Sequence, residues 1–124
     1  MSWDIFVSRV EAEWSFTKED LQAFHNADIN LGYWVCIEGQ ISFSGRIYSD
    51  LLFQISGYLF FSSWTPPTKV KIINNSLMAC DPEEEIRDYK LNYDDRFNFS
   101  VEDILELQRF FRVCAERDLG LIGD

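Results

Sequence analysis

The sequence predicts an α+β fold: an antiparallel sheet with about three helices packed mainly on one face. Three observations lead there. Short segments alternate apolar and polar residues, most clearly around the Glu38-Gly39 pair. Longer segments carry apolar residues at helical spacing behind capping residues. The order runs strand, helix, hairpin, helix, strands, helix. The chain has 124 residues, 47% of them hydrophobic and 16% aromatic, which suffices for one buried core, so residues 1–124 are expected to form a single globular domain.

In the segment 5–16, Val10, Ala12, Trp14 and Phe16 alternate with Glu11, Glu13 and Ser15, which predicts a strand. Thr17 then caps a helix, with its hydroxyl in reach of the Asp20 amide and with Glu19 and Asp20 in the first turn, where the helix dipole favours acids. Leu21, Phe24, Ala27 or Asp28, and Leu31 continue it, and Gly32 is placed to stop it. From Tyr33 to Ser44 the pattern is a hairpin about Glu38-Gly39. Ile37 faces Gln40, Cys36 faces Ile41 and Trp34 faces Phe43, because only this register gathers Trp34, Cys36, Ile41 and Phe43 on one face.

After Gly45 and Arg46, the run 50–63 places Leu51, Leu52, Ile55, Tyr58 and Leu59 on one helical stripe, capped by Ser49 or Asp50 and ended by Trp64, Thr65, Pro66 and Pro67. Lys69, Val70, Lys71 and Ile72 alternate as an edge strand does, and Asn74-Asn75 mark a turn before the apolar run Leu77 to Cys80. Residues 81–85 read as an acidic loop, Tyr89, Leu91 and Tyr93 as one strand and Phe97 and Phe99 as another. Ser100, with Asp103 three residues on, opens a last helix whose inner face is Ile104, Leu107 or Gln108, Phe111 and Cys114, widened by Leu105 and Phe110 and ended by Gly120.

Twenty-one acids against eleven Lys and Arg set the net charge at −10, which disfavours nucleic acid as a partner, since neutralising phosphates needs a basic stripe. Met1, Ser2, Trp3 and Asp4 do not open a secretory signal, and the most apolar run, 51–61, is interrupted by Gln54, Ser56 and Gly57 and is half a membrane span. A cytoplasmic location without membrane association is the expectation. Cys36, Cys80 and Cys114 are odd in number and far apart, as reduced buried thiols are.

No spacing supports catalytic, cofactor-binding or metal-ligating residues. His25 is the single histidine and has only Asp28 near it in sequence, while the six glycines form no phosphate-cradling run. Glu84 and Asp88 could hold a hard cation weakly. The remaining signal is charge. Between residues 81 and 95, Asp81, Glu83, Glu84, Glu85, Asp88, Asp94 and Asp95 stand against Arg87 and Lys90, carrying half the net charge of the chain. Such a face steers a basic partner, and Trp64, Tyr89 and Tyr93 are the candidate aromatic anchors beside it.

The hairpin Trp34-Val-Cys-Ile-Glu-Gly-Gln-Ile-Ser-Phe43, the Leu-Leu helix ending at Trp64, the following strands and a last helix opened by Phe99-Ser-Val-Glu-Asp103 resemble the layout of small acidic immunity proteins from bacterial toxin–immunity pairs. The resemblance is one of arrangement and composition. It implies a non-enzymatic cytoplasmic protein that binds and blocks a cognate toxin with a basic surface, and it transfers no functional residue. Two other readings stand beside it: an adaptor or subunit of a larger assembly, using an apolar helix face or the edge strand 69–73, and a small hydrolase with a site around His25.

Overall fold

A computed structural model describes residues 4–11, 17–29, 35–37, 40–58, 64–94 and 97–123. The sheet is built from β1 (Asp4–Ser8), β2 (Val35–Ile37), β3 (Gln40–Ser44), β4 (Trp64–Thr65) and β5 (Gly120–Gly123), in the order β2-β3-β1-β5-β4 with every neighbouring pair antiparallel. Its helices are α1 (Lys18–Asn26), α2 (Gly45–Ser56), α3 (Pro67–Ala79), α4 (Pro82–Tyr93) and α5 (Val101–Glu116). The fold is therefore α+β with an antiparallel sheet, but the described residues form five helices, not about three.

One face of the sheet presents Ile5 and Val7 of β1, Ile41 and Phe43 of β3 and Leu121 of β5 to the helices. Together with Phe24, Leu51, Leu52, Val70, Ile73, Leu77, Ile104, Leu107, Phe110 and Phe111 they make one core. Phe43 meets Phe110 edge-on, with ring centroids 5.0 Å apart, and Phe24 meets the same ring at 5.1 Å. The hairpin keeps its expected register, Ile37 opposite Gln40 and Cys36 opposite Ile41. The expected pairing of Trp34, and the turn at 38–39, lie outside the described residues.

Helix starts agree with capping chemistry in two places. The Thr17 hydroxyl accepts from the Asp20 amide at 3.1 Å, and the Ser100 amide donates to Asp103 Oδ2 at 2.7 Å, as a capping box requires. At α2 the cap is Ser44, whose hydroxyl accepts from the Ile47 amide at 3.3 Å, so the helix begins at Gly45, five residues before the expected start. It ends at Gly57, with φ +78°, rather than at 63. Leu51 and Leu52 are buried, while Ile55 and Tyr58 are only half-buried.

The largest corrections fall between 67 and 99. The expected edge strand 69–73, the turn at Asn74-Asn75 and the run 77–80 are one helix, α3. Val70, Ile73 and Leu77, at i, i+3 and i+7, are all fully buried, and the alternating partner Ile72 is 46% exposed. Pro67 sits in its first turn, where a missing N–H costs nothing. The acidic loop and the strand of Tyr89, Leu91 and Tyr93 are likewise one helix, α4, with Asp81 as N-cap and Pro82 after it. Four-residue alternations fit both periods, and packing against α5 and α2 selects the helical one. Phe97 and Phe99 are in irregular backbone, their rings 6.0 Å apart at the edge of the core.

Three helices end on an aspartate in the left-handed region: Asp28 (φ +56°) after α1, Asp94 (φ +51°) after α4 and Asp118 (φ +60°) after α5. Gly120, expected to stop α5, instead opens β5. A β-carbon there would lie 2.6 Å from both the Thr65 carbonyl oxygen and the Trp64 ring.

Leu52→Ala in α2 and Leu77→Ala in α3 should each cost about 2–5 kcal/mol, since both side chains are fully buried and truncation leaves cavities, with a smaller loss for the half-buried Ile55→Ala. Urea midpoints at constant m-value measure this. Asp28→Gly should raise stability by about 0.5–1 kcal/mol, the relief of left-handed strain less the added entropy of the unfolded glycine.

Candidate interaction site

Folding the acidic run into α4 redistributes its charges. Helical rise puts Asp81 and Asp94 about 20 Å apart at opposite ends of the helix, so the seven acids do not form one face. Asp81, Glu83 and Glu84 are exposed around the N-terminus, Asp88 and Glu85 are half-buried, and Asp94 is exposed at the other end. Asp95 lies outside the described residues. The Glu83 amide donates to the Asp81 carboxylate at 3.1 Å, and the acids that follow complement the positive end of the helix dipole. Part of what looked like a binding signal in sequence is thus the chemistry of starting a helix.

Of the three aromatic candidates, Tyr89 is 1% exposed and belongs to the core, so it offers no surface to a partner. Its ring stacks on Tyr93 at 4.8 Å and meets Phe99 edge-on at 5.0 Å. Tyr93 is partly buried against the same core, and burial raises the pKa of its phenol, with a further contribution from the charge of Asp50. Trp64 is half-buried on β4, next to Gly120. The aromatics hold the inner stripe of α4 and the sheet edge.

The outer stripe of α4 carries Glu83, Glu84, Arg87, Lys90, Leu91 and Asp94, spaced i, i+1, i+4, i+7, i+8, i+11 and all exposed. Leu91 is 81% exposed, the most exposed of the large apolar side chains among the described residues. Read as a strand, Leu91 shares a face with Tyr89 and Tyr93; read as a helix, it lies away from them. The helical period was the signal that could have found it.

A second cluster escaped sequence reasoning altogether. Asp20 is fully buried, and its carboxylate accepts from the Arg9 guanidinium through both oxygens, from Arg117 Nε at 2.5 Å and from the Thr17 amide at 2.7 Å. Burial on its own would raise the Asp20 pKa. The hydrogen bonds from Arg9, Thr17 and Arg117 overcome that and hold the carboxyl well below the usual range. Arg9 follows β1 and Arg117 caps α5, so the pair comes together only in the fold.

Beside this cluster an open cleft of about 490 Å³ runs between α1 and α5, with Ala23, Ala27 and Val113 along it and Arg112, Glu116 and Arg117 at its rim. His25 is exposed on α1 and does not line the cleft. Cys80 and Cys114 are free thiols, and burial pushes both pKa values up, away from nucleophilic thiolate. Among the described residues no three His, Cys, Asp or Glu side chains gather to hold a metal ion, and no helix is long and apolar enough to cross a membrane. Compared with protein-family models, with curated proteins and with solved structures, the chain matches none.

Asp20→Ala should cost about 3–5 kcal/mol, because it leaves two guanidinium groups facing a vacated buried site. The folded pKa of Asp20 lies below its ordinary 3.8, so its contribution is complete above that value and is withdrawn as pH falls below it. Urea stability followed from about pH 6 to about pH 3 should therefore fall less steeply in Asp20→Asn than in the parent chain.

Proposed function

We propose that the protein is a non-catalytic binding protein of the cytoplasm that covers a basic surface on a partner protein with the outer stripe of α4. One observation carries the reading: Leu91, 81% exposed, sits on the same outer stripe as Glu83 and Glu84, so an apolar anchor and an acidic helix end share one face, with Arg87 and Lys90 between them. The inner stripe supports it, since Ile86, Tyr89 and Tyr93 pack α4 on the core and present its outer stripe on a firm base. The net charge of −10 adds a long-range field that draws in a cationic surface and repels anionic ones. In its most specific form the reading is of an immunity protein that neutralises a cognate toxin, for which binding and covering suffice.

The structure removes the edge strand 69–73 on which the adaptor reading partly rested, because those residues are in α3. It also changes which residues belong in the test. Tyr89 is excluded by burial, and Asp81 is best left intact because it caps α4.

The experiment is binding kinetics with the protein that co-purifies from the source cell, at two salt concentrations. Glu83→Gln, Glu84→Gln and Asp88→Asn combined should slow association severalfold, and added salt should do the same to the parent chain, as the acidic field shortens to about 8 Å near physiological ionic strength. Leu91→Ala should instead speed dissociation by about tenfold or more, the signature of a lost anchor. An association rate indifferent both to salt and to the triple neutralisation sinks the reading.

A further inference from the structure

Among the buried side-chain oxygens of the described residues that accept no hydrogen bond, Gln54 Oε1 on α2 and Glu85 Oε2 on α4 lie on neighbouring helices. Their residues are in direct contact, since Gln54 Nε2 donates to the Glu85 main-chain carbonyl at 2.8 Å. The packed helix contact thus leaves two acceptors unfilled, while the Gln54 Nε2 donor is engaged on the Glu85 main-chain carbonyl. The Glu85 carboxyl is the group able to supply a further donor, because protonation turns a carboxylate oxygen into a donor and removes its charge. We propose that Glu85 is a proton-operated latch between α4 and α2. With the carboxyl protonated, its O–H provides the missing donor and α4 closes on α2. With the proton released to water, a carboxylate is left in the contact and α4 loosens from the core.

Burial and the neighbouring acids favour the protonated form, against the helix dipole at this end of α4. On α4 itself Asp81, Glu84 and Asp88 face Glu85, and the Cys80 thiol lies just before the helix. On α2 the group against it is the neutral Gln54 amide. Of that helix's charged residues, Asp50 acts on Tyr93, and Arg46 is two turns before Gln54. On α5 the pairs Arg109 with Glu102 and Glu106, and Arg112 with Glu116, are formed within the helix. Burial, opposed by the Gln54 hydrogen bond and reinforced by the charges of Asp88, Glu84 and Asp81, accordingly raises the Glu85 pKa above its ordinary 4.5. A carboxyl raised on folding stabilises fully below its unfolded value and loses that contribution as pH rises through its folded value, the opposite sign to Asp20. The latch is independent of whether α4 meets a partner.

The test combines a carbon-13 pH titration of the Glu85 carboxyl with amide hydrogen exchange, corrected for intrinsic rates, from about pH 4 to about pH 7 in the parent chain and in Glu85→Gln, which keeps the shape and a donor but cannot ionise. Glu85 should titrate above 4.5, and protection of the α4 amides should fall with rising pH by about tenfold for each unit of the shift, while α4 protection in Glu85→Gln stays flat. Titration at or below the ordinary value overturns the proposal, as does an equal pH-dependent loss in Glu85→Gln or a loss spread equally over α3 and α5. Should the variant not fold, the parent titration and its α4 exchange decide alone.

Discussion

The Asp20 carboxylate is the point at which three distant parts of the chain are fastened. Its oxygens take hydrogen bonds from Arg9 at the end of β1, from the Thr17 amide at the start of α1 and from Arg117 at the end of α5. An ionised group with no exposure to water is tolerable only when its acceptor sites are filled by cations and amides, and here they are. The demand is reciprocal. The two guanidinium groups hold the carboxylate charged, and the charge fixes where both arginines, and therefore β1 and α5, stand. Nothing in the core requires α1 to sit where it does as directionally as this does, because apolar contacts can slide and forked hydrogen bonds cannot.

Around that fastening the hydrophobic layers follow simple rules. Phe43 in β3, Phe24 in α1 and the adjacent pair Phe110 and Phe111 in α5 join sheet to helices through ring contacts, edge-on except for the tilted pair Phe24 and Phe110. A second aromatic group, Tyr48, Tyr89, Tyr93 and Phe99, joins α2 and α4 to the chain before α5. Helix α4 thus has an aromatic inner stripe and a charged outer one, with Leu91 as the exception on the outside. The exception matters because a buried Leu is explained by packing and this one is not.

What the sequence made legible was whatever rests on local chemistry. Thr17 with Asp20 and Ser100 with Asp103 announce helix starts because a side chain and an amide three residues apart form the cap unaided. The β2–β3 register follows from alternation about a Glu-Gly pair. Helix ends were misread because glycine was the signal sought at 32 and 120, whereas Asp28 and Asp118 turn the chain in the left-handed region. The segments 69–73 and 89–93 were misread because a few alternating residues satisfy a period of two, and only the longer series Val70, Ile73, Leu77 and Ile86, Tyr89, Tyr93 reveals the helical one. For the candidate site, the acids were visible as a charge run, but their division between the two ends of a helix was not. The partnership of Asp20 with Arg117, 97 residues away, has no local trace at all.

The place of β5 bears on how the protein is made. Strand β1 has β3 on one side, available once residue 44 has been synthesised, and β5 on the other, available only after residue 123. During synthesis on the ribosome one edge of a strand buried along Ile5, Phe6, Val7 and Ser8 must therefore wait, unpaired, for more than a hundred residues to follow it. An open edge of that composition is a template for pairing with another nascent chain. A stalled or proteolytically clipped copy lacking 120–123 would expose the β1 edge and free β4 from its neighbour, so quality-control proteases and chaperones would meet it as a sticky, half-closed sheet.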